Sequence, residues 1–250
     1  MRFLVCFFSC FLYCIFANAR QHVIGIVPDT REVLKQYKYD DYRISNYGYW
    51  MNQGVVDNIS TVCSEVGDFV YIILPYQPHK AKDYARMIDG VIMTGGGNEV
   101  DRWGFERELV FELKKRKKPI FGICLGMQHL NVMHGGDLAK VVDKIKDPLK
   151  HYYGNHLVLA HDVKLERGSL IYKILNKDVI QVNTHHNWMI DNAADNVKIT
   201  GFAPDGVPEV LEMPDYKGFL LGVQWHPEFL LSDDDKKIFL SFCSAVRAVK

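Results

Sequence analysis

Cys124 lies in Pro119-Ile-Phe-Gly-Ile-Cys-Leu-Gly-Met-Gln128, an apolar run that ends in a cysteine bracketed by Gly122 and Gly126. This is the cysteine counterpart of G-x-S-x-G, where small residues flank a nucleophile on a sharp strand-to-helix turn. A thiol in that position sits at a helix N-terminus, where the backbone dipole favours the negative charge of the reactive thiolate. A cysteine nucleophile needs a base and a third group to orient that base. His226-Pro227-Glu228, directly after the apolar run Phe219 to Val223, offers both. Pro227 cannot continue a central strand, so His226 and Glu228 are expected in the loop at its end. The imidazole would take the thiol proton and later donate one to the leaving amine. The carboxylate would fix the tautomer and stabilise the imidazolium. Acyl transfer also requires donors aimed at the developing oxyanion. The N–H of Leu125, next to the nucleophile, can supply one. Thr94-Gly-Gly-Gly-Asn98, after the run Val91 to Met93, lets backbone N–H groups approach a carbonyl closely. No Gly-Lys-Ser/Thr follows it, so it is not a phosphate loop.

Short apolar runs alternating with amphipathic segments must carry these residues. The pattern predicts strands at 22–27, 70–74, 91–93 and 119–123. It predicts helices through Val55–Val66, over 81–88, through Phe105–Leu113 and after Cys124 along Met127, Leu130 and Met133. Such alternation implies an α/β fold, an open and mostly parallel sheet with helices on both faces and the nucleophile elbow after a central strand. The second half is richer in strands, expected at 157–159, 163–165, 179–182, 197–199 and 219–223. Ser232 and the acidic triplet after it read as the cap of a last helix carrying Ile238, Phe239, Phe242 and Val246, not as a metal site. His185-His186 could face the same cleft as Cys124. No H-E-x-x-H or comparable ligand spacing occurs, so no metal is expected.

The 250 residues suffice for one sizeable domain, and no linker or repeat divides them. Thirty basic and thirty acidic side chains balance, which suggests no nucleic-acid partner, and the one basic run, Lys114 to Lys118, reads as a solvated helix end. Arg2, the apolar stretch Phe3 to Phe16 and Ala17-Asn-Ala19 together form a signal-peptide pattern over residues 1–19, too short for a membrane span. Cleavage would leave a domain over 20–250, secreted or periplasmic and without stable membrane association. If residues 1–19 do not act as a signal, the location is cytoplasmic. Of six cysteines, Cys63, Cys124 and Cys243 lie outside that segment. Their odd number encodes no disulfide framework, so Cys63 and Cys243 are expected as small core residues of two helices.

Gly122-Ile-Cys124-Leu-Gly126-Met-Gln128 together with Val223-Gln-Trp-His226-Pro-Glu228 resembles the class I (triad) glutamine amidotransferase superfamily. Within it, the chain is most similar to the stand-alone γ-glutamyl hydrolase branch, peptidase C26. Thr94-Gly-Gly96, Asn131-Val with Gly135-Gly-Asp-Leu138, His161-Asp-Val163 with Gly168-Ser-Leu170, and Asp205-Gly206 with Glu209 support the likeness in order along the chain. The resemblance implies a flavodoxin-like fold, Cys124 as nucleophile on a γ-glutamyl carbonyl, His226 as acid and base, and Glu228 as its orienter. It implies an oxyanion hole from the N–H groups of Gly96 and Leu125. Gln128 would contact the glutamyl moiety or support the elbow, and His186 would belong to the substrate site. Where the hydrolases carry V-N-S-x-H-H-Q, this chain has Val182-Asn-Thr-His-His-Asn-Trp188, which leaves the group beyond the γ-glutamyl unit open. The stretch between Gly97 and the helix at Phe105 is also shorter than in most such hydrolases, which suggests a more open cleft rim.

The expected activity is hydrolysis of γ-glutamyl amides through a thioester on Cys124, with a small-molecule substrate and no cofactor. The alternative is a glutaminase subunit that passes ammonia to a separate synthetase, which the signal-like N-terminus argues against because synthetases and their ATP are cytosolic. A third reading is a binding relative that uses the cleft as a sensor, for which a complete triad would be idle. A homodimer is left open.

Overall fold

A computed structural model describes residues 20–29, 55–97, 100–152 and 157–250. The segment expected to be a signal, 1–19, lies outside the described residues, as does Asn98. Among the described residues, eleven strands form a nine-stranded sheet, in the order β2-β1-β3-β4-β11-β10-β9-β6-β7, and a separate pair, β5-β8. The first five of that order, β2 (Phe69–Ile73), β1 (His22–Val27), β3 (Gly90–Met93), β4 (Ile120–Ile123) and β11 (Leu220–Val223), pair in parallel. An antiparallel wing follows: β10 (Pro208–Glu212), β9 (Lys198–Phe202), β6 (His161–Leu165) and β7 (Val179–Val182). Because only β10 and β6 run against the rest, the sheet is mostly parallel, as the alternation of strands and helices predicts.

Successive residues in the central strands face opposite sides, and both sides are apolar, as a sheet covered on both faces requires. Ile24, Ile26, Phe121 and Ile123 pack with Ile59 and Val62 of α1 (Val55–Cys63) and Phe239 and Phe242 of α7 (Asp233–Arg247). Val91, Met93 and Ile120 face the other way, onto helices α2 (Ala81–Met87), α3 (Val100–Lys115) and α4 (Leu125–Val132). Short helices α5 (Val141–Lys144) and α6 (Leu170–Leu175) complete the fold. Among the described residues, no helix is long and apolar enough to cross a membrane.

Several expectations change. Residues 157–159 form no strand; Leu157, Val158 and Leu159 are exposed. Strand β10 was not expected because its sequence opens on Pro208 and carries Glu209 and Glu212 inward. The hairpin-like pair β5 (Asp137–Lys140) and β8 (Trp188–Asn192) was also unseen, since its polar residues hide the period. Lys118 is not solvated. Its ammonium is buried and donates to the carbonyls of Ala85 (3.1 Å) and Ile88 (2.5 Å) at the end of α2, where a cation complements the helix dipole.

Cys63 and Cys243 are joined as a disulfide, with Cα atoms 5.8 Å apart, tying α1 to α7. Counting cysteines missed it because the odd one out, Cys124, is kept unpaired by its place on the sheet. The acidic triplet behaves as expected: the Ser232 hydroxyl accepts from the Asp235 N–H, and the Asp235 carboxylate accepts from the Ser232 N–H, a reciprocal cap.

Candidate active site

Parallel register brings three distant segments to one edge. Gly122 of β4 lies beside Met93 of β3 and Gly222 of β11, so the residues that follow each strand emerge together at its carboxyl end. On β4 the next residue but one is Cys124, at φ 51° and ψ −106°. A non-glycine residue in such a region costs on the order of 1–3 kcal/mol. Packing around the turn sustains it. The Cys124 N–H donates to the carbonyl of Val223 at 2.7 Å, and its carbonyl accepts from Gln128. Gly126 is obligatory, since a Cβ there would lie 2.3 Å from the Met93 carbonyl oxygen.

On β11 the chain continues as Gln224-Trp225-His226. Trp225 turns into the core, where its indole N–H donates to Asp235 at 3.2 Å. Gln224 turns the other way, and its amide donates to the Cys124 sulfur at 3.5 Å. His226 Nδ1 pairs with Glu228 Oε1 at 2.7 Å, in a 3-10 turn over Pro227–Phe229. A carboxylate can only accept, so Nδ1 carries the hydrogen and Nε2 is left for the thiol. Burial opposes charge on this imidazole, but the negative charges of Glu228 and Cys124 outweigh it and hold its pKa well above the ordinary histidine value. Two residues not singled out by their sequence context fix its backbone frame. Asn183 accepts from the His226 N–H (2.9 Å) and donates to its carbonyl (3.1 Å), and Asn58 donates to the carbonyl of Glu228 (2.8 Å).

After β3, Gly96 adopts φ 124°, and a Cβ there would meet Asp29 Oδ1 at 1.8 Å. Asp29 accepts from the Gly97 N–H at 3.0 Å. Beneath this loop Arg102 is fully buried and donates to the carbonyls of Gly95 (2.9 Å) and Thr94 (2.5 Å) and to Glu106 (2.9 Å). The second Glu106 oxygen is hydrogen-bonded to His129 Nδ1. Burial disfavours both charges, yet their proximity prevails: Arg102 is held above its usual range and Glu106, with His129 also near, below its own. The sequence did carry a signal for this pair. Arg102 and Glu106 stand four apart on the apolar face of α3 that holds Phe105 and Leu109, where unpaired charge would be untenable.

The fold therefore brings Cys124, His226, Glu228, Leu125 and Gly96 to one end of the parallel strands. Gln128 stands behind them: its amide donates to the carbonyl of Trp188 (3.0 Å) and to Gln224 Oε1 (3.1 Å), so it braces the residue that touches the sulfur. His186 is the other residue expected in the substrate site. It is buried, its Nδ1 lies 3.0 Å from the Trp188 carbonyl, and its Nε2 is turned to Glu209 at 3.5 Å. Burial lowers its pKa to about 4, so the ring is neutral. Among the described residues it belongs to a second histidine–carboxylate cluster. His151, His186 and Glu209 present ligand atoms within 4.8 Å of one another. Spacing along the chain could not reveal them, because they come from three separate segments.

The family model described as Peptidase C26 matches residues 22–228. Protein NtpR of Enterococcus hirae is 34% identical over 188 residues, covering 67% of this chain and 78% of its own. The γ-glutamyl-γ-aminobutyrate hydrolase PuuD of Escherichia coli is 31% identical over 126 residues, 48% of this chain and 49% of its own. Among solved structures, the glutaminase domain of Trypanosoma brucei CTPS superposes with a TM-score of 0.65 at 20% identity, over 90% of this chain and 94% of that one, a likeness of fold. The chain belongs to the peptidase C26 family, among the hydrolytic, glutamine amidotransferase-like enzymes.

Proposed function

We propose that this enzyme hydrolyses γ-glutamyl amide bonds through a thioester on Cys124. The observation that carries the reading is a thiol on a strained elbow beside an imidazole whose other nitrogen is held at 2.7 Å by a buried carboxylate. In the attack the Cys124 sulfur bonds to the γ-carbonyl carbon, and the carbonyl electrons move to oxygen. Collapse expels the amine, which takes its proton from the His226 imidazolium. Water, deprotonated by the same imidazole, then cleaves the thioester and releases the γ-glutamyl carboxylate. The N–H groups of Gly96 and Leu125 receive the oxyanion. In support, Leu125 is the first residue of α4, whose N–H has no acceptor within the helix. The Gly95 carbonyl is anchored on Arg102, so the Gly96 N–H, opposite it across a trans peptide, is directed away from that cation.

The name of the Escherichia coli relative favours a γ-glutamyl group on a small amine as the substrate class. A disulfide between Cys63 and Cys243 and the signal-like residues 1–19 favour an oxidising compartment. The protein should release glutamate from γ-glutamyl-p-nitroanilide or related amides, and Cys124→Ser should lower kcat by at least about a thousandfold with the fold retained. Mass spectrometry of a rapidly quenched reaction should detect a γ-glutamyl adduct on Cys124. Absence of turnover on every γ-glutamyl amide, glutamine included, would end this reading. Turnover of glutamine alone, stimulated by a synthetase, would favour an ammonia donor.

A further inference from the structure

His151, His161, His186 and Glu209 meet in the antiparallel wing, and the proposed hydrolysis uses none of them. Glu209 is the second residue of β10, His161 opens β6, His186 lies between β7 and β8, and His151 precedes the bridge between Tyr152 and His185. All four are buried. Glu209 Oε1 is 3.6 Å from His151 Nδ1, 3.7 Å from His161 Nε2 and 3.5 Å from His186 Nε2. None of these nitrogens has a hydrogen-bond partner, and neither does either oxygen of Glu209.

The outer nitrogens explain why. His151 Nε2 is 2.9 Å from Asp205 Oδ2, His161 Nδ1 is 3.1 Å from the Asp162 carbonyl, and His186 Nδ1 is 3.0 Å from the Trp188 carbonyl. Carboxylate and carbonyl oxygens only accept, so each outer nitrogen holds its ring's hydrogen and each inner nitrogen presents a lone pair. Three lone pairs and a carboxyl group thus converge with at most one proton among them, since burial raises the Glu209 pKa to about 7. Direct hydrogen bonds would bring them to about 2.7–3.2 Å, and a single proton could bridge only one pair. A tetrahedral cation with bonds of about 2.0–2.1 Å instead spaces its ligands by about 3.3 Å, within a few tenths of the three distances to Glu209. The atoms of His151, His186 and Glu209 all lie within 4.8 Å of one another, so side-chain rotations that close separations by up to about 1.5 Å bring them to that spacing. Outer nitrogens held by oxygen acceptors are also what orients histidines around a metal.

We propose that His151 Nδ1, His161 Nε2, His186 Nε2 and Glu209 bind one divalent transition metal ion of the zinc class. Imidazole with a single carboxylate favours such an ion over magnesium or calcium, which prefer all-oxygen sites. Four protein ligands leave no open position, so the ion is structural. It staples β6 and β10 to the loops that carry His151 and His186. The Gln224 N–H donates to the Glu209 carbonyl at 2.9 Å, so this staple lies one strand from the residue that touches Cys124.

The full chain, purified without chelator and dialysed against zinc, should retain about one equivalent by elemental analysis. Cobalt(II) in its place should give the intense visible absorption of a tetrahedral N/O site. Zinc added to chelator-stripped protein should raise Tm by about 5 °C or more. Glu209→Gln and His161→Ala should each lose the ion while Cys124→Ser keeps it. If a ligand variant does not fold, the cobalt spectrum and zinc-dependent Tm of the wild type decide. Retention of less than about a tenth of an equivalent, with no Tm shift and no cobalt spectrum, would overturn the proposal, as would equal binding by wild type and a folded Glu209→Gln.

Discussion

Two histidine–carboxylate groups lie within a strand of each other and differ by about an ångström in their inner distances. At the carboxyl end of β11, His226 and Glu228 stand 2.7 Å apart, and a hydrogen is held between them. In the wing, three imidazoles stand 3.5–3.7 Å from Glu209, and every hydrogen is turned outward. In the proposed reaction the first arrangement moves a proton. The second is the proposed cation site. Residue type alone does not distinguish them; the direction of the hydrogens does.

Removing one negative charge from each group should separate the two most sharply. Glu228→Gln should lower kcat on a γ-glutamyl amide on the order of 10²–10⁴-fold while leaving metal content intact. Glu209→Gln should act mainly through metal content and Tm, with a loss in kcat below about tenfold. An exchange of these signatures would mean that the wing takes part in chemistry.

A smaller effect tests the other covalent or coordinate link, far from both groups. Replacing Cys63 and Cys243 together by alanine should lower the unfolding free energy by about 2–5 kcal/mol in urea titration, with kcat unchanged. A stability change below about 0.5 kcal/mol would mean that packing of α1 against α7, not the bond, holds that face. The smallest effect concerns Asp235, which supports the triad strand through Trp225. Burial raises its pKa from 3.8 to about 7, against the hydrogen bonds from Ser232 and Trp225 that favour its charged form. A carboxyl with a raised folded pKa contributes stability that is complete below its unfolded value and is lost as pH rises through the folded one. The stability of the wild type relative to Asp235→Asn should therefore fall between about pH 4 and pH 7, seen as diverging urea midpoints. Parallel midpoints over that range would place the titration elsewhere.

The candidate triad was legible because its members sit in two contiguous motifs whose neighbours explain them: glycines that a strand-to-helix turn demands, and a proline that ends a strand. The parallel half was legible for a related reason, since two-sided burial writes apolar runs that stand out against helical spacing. The wing was not. Its strands face the site with glutamates and histidines, so β10 lacks the alternation that marks a strand, and the apolar run Leu157 to Leu159 imitates one. Lys118 looked like an ordinary surface charge because its buried hydrogen-bond partners are backbone carbonyls, which no sequence displays.

By itself the sequence determined the parallel core and the family and singled out Cys124, His226 and Glu228 as the candidate nucleophile, base and orienter, because local backbone geometry and short-range spacing constrain all of these. Tertiary structure alone decided that Cys63 meets Cys243, that Gln128 braces Gln224, that the His186 Nε2 turns to Glu209, and that three histidines from distant segments gather around that carboxyl group. Those pairings depend on how crossovers return the chain across the sheet, and that distance is not written in the spacing of residues along it.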